Sequence, residues 1–172
     1  MKIRQETPAD YNEVYELVKI SFETNADDDG TTSDYLNEIR KTDAFVPELS
    51  LVAEAENGKI VGQIVLYKTT IDTKNENITA LLLSPICVHP DYFRKGIARS
   101  MVEKAFCTAK EMDYKAVFLC GEPKIYRKLG FKPSFEYSIF HISDETKNAE
   151  WCMVYEFVDG ALNGVSGMVD IV

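Results

Sequence analysis

A chain of 172 residues with 45% hydrophobic and 27% charged residues is long enough to bury a core without metals or disulfides; this excludes a disordered chain and predicts a single domain over residues 1–172. The formal charge of −9 excludes a general nucleic-acid binder, whose cations must outweigh phosphate repulsion, and favours a neutral or cationic partner. The four cysteines, Cys87, Cys107, Cys120 and Cys152, sit singly in apolar segments with no C-x-x-C spacing. They read as buried, reduced thiols, and with no apolar run of membrane-spanning length they predict a cytoplasmic protein with no membrane partner and no metal site.

In chain order, Lys2 to Gln5 alternates charge with Ile3 and predicts a short strand, and Thr7-Pro8-Ala9-Asp10 then supplies an N-cap with proline at the first helical position. The helix that follows carries Tyr11, Val14, Leu17, Val18 and Phe22 at helical spacing, so one face packs inward. Asn25 to Asp34 reads as an acidic loop before a second helix from about Ser33 to Lys41. Leu49 to Glu56 and Lys59 to Thr70 are β-rich, and the Asn57-Gly58 dipeptide between them predicts an antiparallel hairpin. Asp72 to Glu76 is a polar link. The strand Ile78 to Val88 follows, interrupted at Ser84-Pro85, because proline cannot donate a ladder hydrogen bond.

Ile86-Cys87-Val88 leads through His89-Pro90-Asp91-Tyr92 into Arg94-Lys95-Gly96-Ile97-Ala98-Arg99, a basic, glycine-bearing turn in an acidic chain. A helical pattern from Ala98 to about Met112 leads out of it. Unpaired N–H groups at the positive end of a helix dipole suit a phosphate or pyrophosphate, although close helix-to-strand packing also explains Gly96 and Ala98. The cations add weight to the anion reading, since they are unfavourable at a helix N-terminus unless something anionic answers them. The Walker loop is absent, and Met101 stands where a dinucleotide fingerprint needs its third glycine. Lys115 to Cys120 predicts a buried parallel strand. Gly121-Glu122-Pro123 starts a short helix ending at Gly130, and Ser134 to Ile142 and Trp151 to Val158 predict two further strands, linked by the polar stretch Ser143 to Glu150.

The run from Ser84 to Ala98, SPICVHPDYFRKGIA, resembles motif A of the GNAT superfamily of acyl-CoA-dependent N-acetyltransferases, and Tyr126-Arg127-Lys128-Leu129-Gly130-Phe131 resembles its motif B. Phe118 to Pro123 and Glu156 to Gly167 are similar to segments of a subgroup of predicted acetyltransferases. The resemblance implies an α/β (α+β mixed) fold, with a mixed, mostly antiparallel sheet of about seven strands and helices on both faces. It implies acetyl-CoA as co-substrate, no metal, and acetyl transfer to a primary amine by direct attack. On this likeness Arg94, Lys95, Gly96, Ile97, Ala98, Arg99 and Ser100 would hold the CoA pyrophosphate. Backbone at Ile86, Cys87 and Val88 would bond the pantetheine arm, in the gap opened by a bulge near Ser84-Pro85. Tyr126 would protonate the departing thiolate, being a phenol that keeps its proton at neutral pH. Phe93 departs from the family pattern, which has Gln or Arg there.

Glu122 is the carboxylate expected as base, although water or an amine arriving neutral would remove the need for one. His89, in a strand-ending turn, and His141, on a late strand, read as structural. The family's acceptor pocket is bordered by the loop after the first helix, so Asp27, Asp28, Asp29 and Asp34 imply a cationic acceptor, a small-molecule or peptide amine. A homodimer is compatible with all of this. The alternative is a protein that keeps the fold and binds CoA as a sensor or regulator but has lost efficient catalysis; Phe93 and the lack of an evident base favour it.

Overall fold

In the computed structural model, which describes residues 1–23 and 30–171, strand β1 (Lys2–Gln5) pairs antiparallel with β2 (Ser50–Glu54), and β2 with β3 (Ile60–Thr73). The hairpin between β2 and β3 is the predicted one: Gly58 takes a φ of +84° and the Lys59 N–H donates to Asn57 Oδ1 at 3.2 Å. Thr7 leads into a 3-10 turn, Pro8–Asp10, that opens helix α1 (Tyr11–Phe22). The Asp10 carboxylate accepts from the Thr7 N–H and hydroxyl, each at 2.8 Å, and from Arg4, which holds its pKa well below the usual carboxylate range. Helix α1 buries Val14, Leu17 and Val18. Helix α2 spans Thr32–Ile39, where Asp34 accepts from the Tyr15 hydroxyl at 3.0 Å. Asp27, Asp28 and Asp29 lie outside the described residues.

The chain forms two units, Met1–Tyr67 with Ser84–Thr108 and Lys68–Leu83 with Ala109–Val172, so β3 and β4 (Asn77–Val88) each run through both. In the first, helix α3 (Ile97–Glu111) turns Ile97, Met101 and Ala105 inward at four-residue spacing. Gly62 on β3 leaves room for this helix, since a Cβ there would lie 3.0 Å from Met101 Cε. In the second unit, β5 (Ala116–Cys120) runs parallel to β4 over Leu81↔Val117 and Leu82↔Phe118, and antiparallel to β8 (Cys152–Glu156), which also pairs β6 (Lys132–Pro133). Strand β7 (Ile139–His141) runs parallel to β9 (Gly167–Val169), itself antiparallel to Ile71–Thr73 of β3. Helix α4 (Pro123–Tyr126) follows β5. The strands form a mixed, mostly antiparallel sheet. No helix among the described residues is long and apolar enough to cross a membrane.

Three expectations are corrected. Among the described residues the sheet has nine strands rather than about seven, because Ser138, at φ +60°, splits the predicted strand Ser134 to Ile142 into a 3-10 turn and β7, while Lys132–Pro133 and Gly167–Val169 find partners of their own. Strand β4 is not interrupted: it continues through the cis Ser84-Pro85 bond to Val88, since a proline forfeits only its own N–H. Cys87 and Cys152 are buried as expected, but Cys107 and Cys120 are exposed. Cys107 comes two residues after the inward-facing Ala105 and so turns to the other side of α3, and Cys120 is the end residue of β5.

Candidate active site

In the first unit, the turn between β4 and α3 carries the basic, glycine-bearing segment. The His89 N–H donates to Val61 O at 2.9 Å, and a 3-10 turn over Pro90–Tyr92 reverses the chain. His89 Nδ1 accepts from the Asp91 N–H at 3.3 Å and its ring meets Tyr92 edge-on, which is a structural arrangement. Arg94 and Gly96 then take left-handed φ values of +61° and +76°. The first bond of the helix runs from the Ser100 N–H to Gly96 O at 3.0 Å. Among the described residues, no N–H of residues 94–99 donates to a backbone carbonyl, so these donors stand together at the positive end of the α3 dipole.

A Cβ added at Gly96 would meet nothing within 4 Å, so the space in front of the donors is open to a ligand. The three cations are not equivalent. Lys95 Nζ folds back onto Asp91 O at 3.3 Å and over the Tyr92 ring at 4.5 Å, and Arg99 Nε pairs with Glu103 at 3.0 Å. Only Arg94, of these three, has no side-chain partner among the described residues. The donor set therefore fits a pyrophosphate, with Arg94 as the available charge and Arg99 held only by a weak exposed pair. Phe93 is 56% exposed and offers no polar group there.

At the end of β4, Ile86 is half-buried while Cys87 and Val88 are buried. The Ser21 hydroxyl, which sequence reasoning did not single out, donates to Val88 O at 3.3 Å. Burial pushes the Cys87 thiol up to about 12 against the lowering influence of Ser21 and the Gln63 N–H, so it is a poor nucleophile.

In the second unit, the stretch after β5 holds Glu122 and Tyr126. The Gly121 N–H donates to Trp151 O at 2.9 Å, which extends the β5–β8 pairing by one residue. Glu122 caps α4: its Oε1 accepts from the Lys124 N–H at 3.2 Å, with Pro123 at the first helical position. Its other oxygen has no partner among the described residues. Tyr126 ends this short helix, and its ring stands edge-on to Phe131 with centroids 5.9 Å apart. Burial raises the phenol pKa above its ordinary value, and the hydroxyl has no hydrogen-bond partner among the described residues. Gly130, at φ +92°, lets the chain return so that the Phe131 N–H reaches Tyr126 O at 3.2 Å. His141 is buried between Ser143 Oγ and Ile171 O, each 2.8 Å away. Among the described residues no group of His, Cys, Asp or Glu could hold a metal ion.

The family model described as an acetyltransferase (GNAT) domain matches residues 2–134. The uncharacterised N-acetyltransferase YhbS of Escherichia coli K12 is 29% identical over 170 residues, which span 99% of this chain and 95% of that one. A second uncharacterised N-acetyltransferase of that strain, YjhQ, is 27% identical over 111 residues, 64% of this chain and 61% of its own. The crystal structure of YhbS from Escherichia coli in complex with CoA matches with a TM-score of 0.85 at 26% identity, over 99% of this chain and 89% of that one. A GNAT family acetyltransferase from Brucella melitensis, in complex with acetyl-CoA, shares the fold at 21% identity, with a TM-score of 0.79 over 99% and 95% of the two chains.

Proposed function

Because the chain belongs to the GNAT acetyltransferase family, we propose that it acts as one catalytic domain that moves the acetyl group of acetyl-CoA to a primary amine by direct attack. The observation that carries this reading is the β4–α3 turn, whose unspent N–H groups face open space beside an unpaired Arg94. Residues 94–100 hold the pyrophosphate in this reading, and backbone at Ile86, Cys87 and Val88 bonds the pantetheine arm. The relative of known structure that binds CoA supports the choice of co-substrate.

The amine lone pair attacks the thioester carbonyl carbon, the C–N bond forms and the C–S bond breaks. The sulfur leaves with the electron pair and takes the proton of the Tyr126 hydroxyl, while the proton of the nascent ammonium passes to Glu122. The acceptor is proposed to be a small-molecule or peptide amine, cationic before it loses its proton, because the net charge of −9 attracts cations. Four cysteines without a disulfide among the described residues suit a reducing compartment, the cytoplasm.

Calorimetric titration with acetyl-CoA, followed by thiol release against a panel of amines, tests this function directly. Binding with turnover is the expected result, and absence of binding overturns it. Binding without turnover establishes the second reading, a CoA-dependent regulator, which the exposed Phe93 favours. Gly96→Ala is expected to weaken acetyl-CoA at least tenfold, since the left-handed φ costs about 1–2 kcal/mol and the new methyl enters the donors' space. Unchanged affinity would remove the turn from the site.

Glu122→Gln separates capping from base catalysis. The glutamine carbonyl still accepts from the Lys124 N–H, so thermal stability should hold while kcat falls by about a hundredfold. If kcat holds as well, the ammonium proton goes to solvent.

A further inference from the structure

The residue that fixes where the Tyr126 hydroxyl sits is not in motif B but five positions earlier. A Cβ built on Gly121 would lie 2.3 Å from Tyr126 Cε2, 2.8 Å from its Cδ2 and 3.2 Å from Leu119 Cδ1. Carbon atoms rest about 3.5–4.0 Å apart, so the phenol ring occupies the volume that any side chain at 121 would need. We infer that Gly121 is a positioning residue: its missing side chain is the seat of the Tyr126 ring and sets the direction in which the hydroxyl presents its proton.

Neither partner in this contact is free to give way. Gly121 is pinned by its hydrogen bond to Trp151 O at 2.9 Å and by the capped start of α4 in the next residue. The Tyr126 ring is backed by Phe131, only 1% exposed, which is itself backed by Tyr155 at a centroid distance of 5.8 Å. Gly121 does not take a left-handed φ, so alanine there carries no backbone penalty and the ring contact is what the substitution changes. An alanine methyl would push the ring by about 1.2–1.7 Å, from 2.3 Å out to van der Waals distance.

This inference rests on the general-acid reading of Tyr126, and its test separates the two. Gly121→Ala should lower kcat by about ten- to a hundredfold, with the KM for acetyl-CoA nearly unchanged. In a Tyr126→Phe background the same substitution should change kcat less than about twofold, because no catalytic proton is left to misplace. If Tyr126→Phe slows turnover and Gly121→Ala does not, Gly121 has no positioning role. If Tyr126→Phe leaves turnover intact, the acid assignment itself is wrong and the positioning role goes with it. An equal loss from Gly121→Ala in both backgrounds would mark a structural defect and overturn the inference. Should Gly121→Ala fail to fold, Tyr126→Leu/Gly121→Ala, which lacks the ring, should fold and unfold at the temperature of Tyr126→Leu; failure of that pair too would show that the contact is not with Tyr126.

Discussion

Replacing Tyr126 with phenylalanine is expected to lower kcat by about a hundredfold or more, with the KM for acetyl-CoA within about twofold of wild type. The ring keeps its seat against Gly121 and Phe131, so packing is preserved and only the proton donor is lost. A thiolate leaving with no proton within reach is a poor leaving group, and its cost appears in the transition state rather than in ground-state binding. The pH profile carries a second signature. The acid must be protonated to act, and burial raises the phenol pKa above the ordinary value of about 10. Wild-type kcat should therefore hold through neutral pH and decline only on an alkaline limb above about 10, and that limb should vanish in the variant. The same burial that weakens the phenol as an acid raises the basicity of a sulfur departing into the same surroundings, so the proton match survives desolvation. An unchanged kcat, or a loss matched by an equal rise in KM, would sink the assignment.

What could be read from the sequence divides by how local its cause is. The β4–α3 turn was legible because a glycine, its flanking cations and the start of an amphipathic helix are neighbours in the chain, and Ile97, Met101 and Ala105 do face inward as their spacing requires. The Asn57-Gly58 hairpin was legible for the same reason. By contrast β9 carries no local signal, because three residues, Gly167–Val169, become a strand only through partners far away in sequence, β7 and the end of β3. Pro85 does not end β4, since what a proline interrupts depends on whether a partner would have met its missing N–H. Side-chain pairing was not encoded either: nothing in the sequence says that Lys95 turns back to Asp91 O, that Arg99 pairs with Glu103, or that Arg94 is left as the available cation. In the sequence Gly121 signals only the start of a short helix. Its proximity to the Tyr126 ring arises only when α4 turns back over the end of β5.

Removing the Glu6 carboxylate is expected to destabilise the protein by about 3–5 kcal/mol, the cost of orphaning a buried charge. The Glu6 and Arg40 side chains are 1% and 4% exposed, and the guanidinium donates to both carboxylate oxygens. The Ser50 hydroxyl donates to Glu6 Oε2 at 2.7 Å, Arg40 Nη1 donates to Asn37 Oδ1 at 2.6 Å, and the guanidinium lies 4.1 Å over the Tyr11 ring. The Glu6 N–H also donates to Ser50 O at 2.8 Å, so one ion pair ties the exit of β1, the start of β2 and the end of α2. Glu6→Ala leaves a guanidinium with its one hydrogen bond to Asn37 but no counter-charge, in a place where water cannot replace the carboxylate. The loss should appear as a lower urea midpoint with an unchanged m-value. The pair's net worth is smaller than the cost of breaking it, because both ions are desolvated on folding. Glu6→Leu combined with Arg40→Met should therefore recover most of the stability that either single change removes. A single-variant loss below about 1 kcal/mol, the range of an exposed pair, would mean that water reaches this charge and that the three elements are held by apolar packing alone.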